Sequence, residues 1–255
     1  MKLLEKKSGI VVGATSGIGR AAAILFAQEG AHIAIVGRRA DLLNTLKIEI
    51  EQGGGRAIVI IADVTHSADI TRMVSTAKDA FKKLDFAFNN AGTIGNFAPM
   101  LQQSEEDWDH TINTNLKSIW LLLREQAKAM SDTGGAIVNT SSWLSQGALV
   151  GSTSYSASKA GMDGMLRPAA LELAAMGIRI NNINPGGIDT QMTREAFGHD
   201  SESLENFAAA HPTGRMGRVE GVANLAAFLL SERAANITGQ AIATDGGYAI
   251  PGQRG

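Results

Sequence analysis

Seven short runs of β-branched and apolar residues recur along the chain, at 9–13 (GIVVG), 31–37 (AHIAIVG), 56–63 (RAIVIIAD), 84–90 (LDFAFNN), 135–141 (GAIVNTS), 178–186 (IRINNINPG) and 239–247 (GQAIATDGG). Each reads as a strand buried on both faces. Between them lie amphipathic stretches that predict helices, among them IGRAAAILFAQEG, ADLLNTLKIEIEQGG, ADITRMVSTAKDAF and EEDWDHTINTNLKSIWLLLREQAKAM. Strand alternating with helix predicts an α/β fold, a parallel sheet with helices on both faces. Glycines after Glu29, Gln52 and Met176 read as helix C-caps. No linker, repeat or low-complexity segment divides the chain, so a single domain over 1–255 is expected. One segment breaks the rhythm: 189–214 is polar and punctuated, and it follows a strand end. Open α/β sheets bind ligands beyond the carboxyl ends of their strands. The segment therefore reads either as a substrate lid or as a plain surface excursion.

Composition narrows the field. With 255 residues and 44% hydrophobic content the chain can bury a sizeable core. The net charge is −2 and the basic residues form no long run, which points away from nucleic acid and anionic membranes and toward a small-molecule partner. The absence of cysteine removes disulfides and cysteine-based metal sites, and five scattered histidines suggest no metal site of their own. The N-terminal apolar patch is broken by Glu5, Lys6 and Lys7, and no run of about 18 apolar residues occurs. No membrane span and a cytoplasmic location are expected.

Two local patterns carry chemistry. The first strand runs into GATSGIGRAAAILF, with Gly13, Gly17 and Gly19 in the turn and a helix starting near Ile18. The first two glycines are two residues further apart than in G-x-G-x-x-G. The physics is the same: close backbone approach and the positive end of a helix, aimed at a pyrophosphate. At the end of the second strand, where an acid would read a ribose 2′-OH, stand Gly37, Arg38 and Arg39. With no carboxylate to repel a 2′-phosphate, NADP(H) is favoured over NAD(H), which stays possible. The turn itself adds no second cation. The other pattern is STSYSASKAG, in which Tyr155 and Lys159 share one helix face among small neighbours. An ammonium near a phenol favours the phenolate and lowers the tyrosine pKa from about 10, which suits a general acid or base.

Together the glycine turn, the tyrosine and the lysine resemble the short-chain dehydrogenase/reductase family, nearly end to end, in its carbonyl-reductase-like and 3-oxoacyl-carrier-protein-reductase-like members. GATSGIG resembles the family's cofactor turn, with Thr15 and Ser16 between the glycines. ADV, with Asp63 and Val64, resembles its adenine-contacting loop, and NNAG, with Asn90, Ala91 and Gly92, the segment steadying the sheet beside the cofactor. INTNLKS places Asn115 at the family's helix-borne asparagine, IVNTSS places Ser142 at its catalytic serine, and YSASK matches its tyrosine and lysine. NPGGIDT resembles the loop holding the nicotinamide carboxamide, with Pro185, Gly186, Ile188 and Thr190.

The resemblance implies a doubly wound, seven-stranded Rossmann sheet, a homotetramer or homodimer, and hydride exchange between NADP(H) and a ketone or secondary alcohol. It implies that Tyr155 is the proton donor and that Ser142 binds the carbonyl oxygen. Lys159 would lower the tyrosine pKa and hold the nicotinamide ribose. Asn115, through a backbone kink and a water, would link Lys159 to solvent. Two positions depart from the family pattern: Val12 stands where threonine is frequent, and Trp143 where smaller residues are. Trp143 either lines the substrate pocket or packs at the sheet edge. Two rival functions are a 3-oxoacyl-carrier-protein reductase, which shares every motif, and a binding protein that senses NADP(H) without turnover. The presence of Asn115, Ser142, Tyr155 and Lys159 together argues against the sensor.

Overall fold

A computed structural model of the chain describes residues 2–250; residue 1 and residues 251–255, part of the single-domain expectation, lie outside the described residues. Seven strands, β1 (Ser8–Val12), β2 (His32–Gly37), β3 (Arg56–Ile61), β4 (Phe86–Asn89), β5 (Gly135–Thr140), β6 (Ile178–Pro185) and β7 (Ala241–Thr244), form one sheet in the order β3-β2-β1-β4-β5-β6-β7. Every pairing is parallel. The connecting helices are α1 (Gly17–Gln28), α2 (Ala40–Gln52), α3 (Ser67–Phe81), α4 (Glu105–Ile112), α5 (Ser118–Met130), α6 (Thr153–Ala174), α7 (Gln191–Ala196), α8 (Ser201–Ala209) and α9 (Val219–Leu230).

Alternate residues of each strand feed two cores. Val11, Ile33, Ile35, Phe86 and Phe88 pack with Phe26 of α1, Leu43 and Leu46 of α2, and Val222 and Ala226 of α9. Ile10, Val12, Ala34, Val36 and Ile137 pack with Met73 of α3, Leu122 of α5, and Met162 and Leu166 of α6. This two-sided burial explains the apolar runs within β1, β2, β4 and β5; β6 is buried as well, with asparagines among its apolar residues. Such burial does not extend to β3 and β7, which have exposed positions because they are the edges of the sheet. Gly30 and Gly177 take positive φ beyond α1 and α6 as expected of C-caps; after α2 it is Gly54, not Gly53, that does so.

Consecutive connections leave the sheet in opposite directions from β1 and β4, so the strand order switches between them. The carboxyl ends of β1 and β4 are where an open sheet offers a crevice. No helix among the described residues is long and apolar enough to cross a membrane. Segment 189–214 folds as the short helices α7 and α8.

Candidate functional site

The turn after β1 is tight for a reason visible in its backbone. Gly13 has φ +85°, and a Cβ there would stand 2.6 Å from the Ala91 nitrogen, while one on Gly19 would stand 2.1 Å from the Gly13 carbonyl oxygen. Only glycine lets β1, α1 and the 90–92 segment approach this closely. Asn90 secures the same contact: its Nδ2 donates to Gly13 O at 3.4 Å, and its Oδ1 accepts from Thr140 Oγ1 at 3.0 Å. At the N-terminus of α1, Ser16 makes no side-chain cap, so the first-turn N–H groups have no side-chain acceptor from it. Arg39 Nη2 donates to Thr15 Oγ1 at 2.6 Å and also contacts Ser16 Oγ at 3.3 Å. The cation that the turn lacks in sequence is thus supplied from the end of β2. Arg38 lies 3.6 Å from Asp63 Oδ2, and Asp63 Oδ1 accepts from Thr65 N at 2.9 Å. Val64 and Ile18 turn their side chains toward the cores. A helix N-terminus with unclaimed donors, a closely packed glycine turn and two guanidinium groups form a donor set that fits a pyrophosphate and a further phosphate.

Beside this turn the predicted polar residues converge. Ser142 is buried at the end of β5, its Oγ accepting from Leu144 N at 3.1 Å, and its hydroxyl lies close enough to Tyr155 to favour the phenolate. Tyr155 and Lys159 lie on one face of α6, whose neighbouring serines tie down the backbone: Ser158 Oγ donates to Tyr155 O at 2.7 Å. Lys159 is buried; its Nζ donates to Thr140 O at 2.8 Å and stands 5.6 Å from the Tyr155 ring centroid. Asn115 is fully buried in a π-helical turn spanning Asn113–Lys117 between α4 and α5. Such a turn opens the helix ladder and re-aims side chains. Its Oδ1 accepts from Thr93 N at 2.8 Å, and its Nδ2 donates to Thr93 O at 2.8 Å and Ser158 Oγ at 3.2 Å. A Cβ on Gly92 would stand 3.2 Å from Asn115 Oδ1 and 3.8 Å from Lys159 Nζ, so all three meet at one point.

One electrostatic expectation is reversed. In the chain by itself, burial pushes the Tyr155 hydroxyl above its ordinary value, against the lowering pull of the Ser142 hydroxyl. Desolvation acts on the phenolate directly, whereas the lysine ammonium is engaged by the Thr140 carbonyl. Burial also pushes Lys159 down to about 8, with Asp163 opposing.

The 185–190 loop closes the far side. Gly186 N donates to Thr244 O at 3.2 Å, Ile188 bridges to Gly217, and Thr190 caps α7 by accepting from Thr193 N at 3.2 Å. A Cβ on Gly17 would stand 3.4 Å from Thr190 Cγ2, so this loop faces the glycine turn across the crevice. Above it lies an aromatic cluster that the sequence did not reveal. Trp143 meets Tyr248 edge to face with centroids 4.8 Å apart, His211 stacks on Tyr248 at 4.5 Å, and Phe207 touches both Phe197 at 4.8 Å and His211 at 5.0 Å. Trp143 therefore packs against the segment after β7. His211 is buried; its Nε2 accepts from Gly187 N at 3.1 Å and its Nδ1 pairs with Phe207 O at 2.8 Å. The carbonyl requires a proton on Nδ1, which leaves Nε2 as the acceptor and fixes one neutral tautomer. His211 thus joins α8 to the 185–190 loop. Its only signal in the sequence was a histidine preceding Pro212 inside a polar segment.

Comparisons with known proteins give the family and the fold. The sequence model of the family described as Enoyl-(Acyl carrier protein) reductase matches residues 13–249. The A-factor type gamma-butyrolactone 1'-reductase (1S-forming) of Streptomyces virginiae is 36% identical over 250 residues, covering 97% of each chain. The 3-oxoacyl-(acyl-carrier-protein) reductase FabG of Thermotoga maritima is 37% identical over 248 residues, 97% of this chain and 99% of that protein. Among solved structures, levodione reductase superposes with a TM-score of 0.94 at 29% identity, covering 98% of this chain and all of its own.

Proposed function

Because this chain belongs to the short-chain dehydrogenase/reductase family, whose members use NAD(P)(H) and whose dehydrogenases act on CH–OH groups, we propose that it is an NADP(H)-dependent reductase interconverting a ketone and a secondary alcohol. The observation that carries this reading is the convergence of four polar side chains at the end of β5: Ser142 beside Tyr155, Lys159 one helical turn on, and Asn115 next to it.

When bound, the dinucleotide supplies or accepts the hydride. The chain does the rest. Ser142 donates to the carbonyl oxygen and stabilises charge developing there. Tyr155 gives its proton to the same oxygen in reduction and takes it back in oxidation, a contribution of about 10²- to 10⁴-fold. Lys159 holds the nicotinamide ribose, and its charge, brought to bear on the phenolate once the ribose is seated, opposes the upward push of burial on Tyr155. Asn115, at the π-helical turn, holds the water that returns a proton toward Lys159. Gly13, Thr15, Ser16, Gly17, Ile18 and Gly19 receive the pyrophosphate; Asp63 and Val64 border the adenine. Asn90, Ala91 and Gly92 set the floor, and Pro185, Gly186, Ile188 and Thr190 hold the carboxamide. Arg39, already placed over the turn, and Arg38 receive the 2′-phosphate, which supports NADP(H) over NAD(H).

Segment 189–214, carrying α7 and α8, is proposed as the lid over the substrate, with Phe197, Phe207 and Trp143 as its apolar lining. A groove of about 530 Å³ between α5 and α6, lined by Trp120, Leu123, Met165, Pro168 and Leu173, supports assembly as a homodimer or homotetramer through those helices.

A second reading, reduction of a 3-oxoacyl thioester on a carrier protein, is supported by the Thermotoga maritima relative. It ranks lower because an acidic carrier favours a basic rim, and of the two arginines around the lid Arg194 is already paired with Asp189 at 2.6 Å. Oxidation of NADPH and NADH against cyclic and linear ketones, ketoesters and acetoacetyl thioesters separates the readings. NADPH-dependent turnover of free ketones is expected; preference for the thioester would promote the second reading. Tight nucleotide binding with no turnover across the panel would overturn both.

A further inference from the structure

A continuous chain of buried amides crosses the sheet beneath the catalytic helix. Asn89, Asn139 and Asn182 are register partners on β4, β5 and β6, so their side chains stand in one row on one face. Gln126 of α5 donates to Asn89 Oδ1 at 2.7 Å, Asn89 Nδ2 to Asn139 Oδ1 at 2.9 Å, and Asn139 Nδ2 to Asn182 Oδ1 at 2.9 Å. Asn182 Nδ2 then donates to Asp163 Oδ1 at 2.8 Å, and Asn184 Nδ2 donates to Asp163 Oδ2 at 2.7 Å. The end of the row dictates its sense. A carboxylate only accepts, so it turns the Asn182 amide nitrogen toward itself; that leaves Asn182 Oδ1 for Asn139, and the requirement passes back to Asn89, whose Nδ2 also donates to Gln126 Oε1 at 2.9 Å in a reciprocal amide pair. Asn89, Asn139 and Asn182 thus donate one to the next toward Asp163, and such chains polarise cooperatively.

Three asparagines inside a parallel sheet are a costly way to fill a core, and their common terminus lies one helical turn from Lys159. Among the described residues no ammonium or guanidinium lies within ion-pair distance of Asp163; Arg167, one turn further on, is exposed. The charged or titratable groups facing Lys159 are Tyr155 and Asp163 on its own helix, while β5 presents the neutral Thr140 carbonyl and the π-helical turn the neutral Asn115.

We propose that Asp163 is a positioning residue of the catalytic site: the asparagine row fixes its carboxylate beneath α6, where its charge keeps the buried Lys159 protonated. This rests on the role given to Lys159 above. Burial alone depresses the lysine, and Asp163 is the group that opposes it. Without that charge Lys159 loses its proton at a lower pH, and turnover falls as pH rises through the new, lower value while remaining intact below it.

The test is Asp163→Asn, with Asp163→Glu as the charge-conserving rescue. The buried Asn184 Oδ1, which has no hydrogen-bond partner, offers the substituted amide an acceptor, so the variant can keep its local packing. Asp163→Ser serves if Asp163→Asn does not fold. The Lys159 ammonium is titrated by ¹⁵N-lysine NMR, assigned with Lys159→Arg, and kcat is followed against pH at saturating NADPH. The wild-type lysine is expected to titrate near pH 8, as burial with Asp163 present sets it, and that of Asp163→Asn about one unit lower. From the protonated fractions, turnover of Asp163→Asn would be roughly fivefold lower at pH 8 and nearly unchanged at pH 6, with Asp163→Glu close to wild type. An unchanged Lys159 titration, or a loss of turnover equal at all pH, would overturn the proposal. The NMR arm needs no substrate, so it decides the question even if no carbonyl compound turns over and the functional reading fails.

Discussion

Ser142, Tyr155, Lys159 and Asn115 are seated on regular elements, and all but the half-buried tyrosine are buried with side-chain hydrogen bonds to their surroundings. Above them, segment 189–214 contributes two buried side chains, Leu204 and His211, and is held by ring contacts and a few loop hydrogen bonds. The floor is part of the cooperative core; the cover is a set of short helices fastened at its edge. Sparse apolar contact is the structural mark of a region that opens locally before the whole molecule does. The floor is thus fit to hold reacting atoms in place, and the cover to move over them and choose what enters. Substitutions in the floor should strike kcat, and substitutions at the cover should strike KM.

Ser142→Ala breaks the comparison most severely if it is wrong. It removes the donor aimed at the carbonyl oxygen and should lower kcat about 10²- to 10³-fold. Thermal unfolding should stay near wild type, because the hydroxyl serves the site and one local cap. At the margin of the floor, Arg39→Ala removes the guanidinium over Thr15 and Ser16. Loss of one charge-assisted contact of about 1.5 kcal/mol raises the NADPH KM roughly tenfold, with the NADH KM little changed. An equal effect on both nucleotides would remove the reason for preferring NADP(H). The smallest effect belongs to the cover. His211→Leu leaves the Gly187 N–H without its acceptor and loosens the 185–190 loop. Cofactor KM should rise a few-fold with kcat nearly kept, and proteolysis within 189–214 should quicken. A fall in kcat comparable to that of Ser142→Ala would erase the division between floor and cover.

What the sequence made legible follows the same division. Tyr155 and Lys159 are four residues apart on α6, and the glycine turn is one contiguous stretch, so spacing within single elements was enough to find them. The strands were legible for the same reason, each being a local apolar run. Which strands form the edges was not, because exposure of β3 and β7 comes from strand order and not from their residues. The direction of the Tyr155 shift escaped as well: four-residue spacing announces a nearby ammonium, whereas burial is a property of the packed crevice. The aromatic cluster gathers Trp143, the Phe207–His211 pair and Tyr248 from three separate segments, and no local pattern connects these segments. Asp163 is an intermediate case. Its place one turn beyond Lys159 was readable, but its partners Asn182 and Asn184 come from β6.

The most direct test separates binding from chemistry at Tyr155. Wild type and Tyr155→Phe are compared for NADPH affinity, by quenching of protein fluorescence, and for turnover of the best ketone. A phenylalanine keeps the ring beside Phe97, which lies 6.1 Å away centroid to centroid, and removes only the hydroxyl. Affinity within about twofold of wild type, with turnover reduced at least about 10²- to 10⁴-fold, is the predicted result. Turnover within tenfold of wild type would contradict the assignment of Tyr155 as the proton donor, and with it the reading of the whole site.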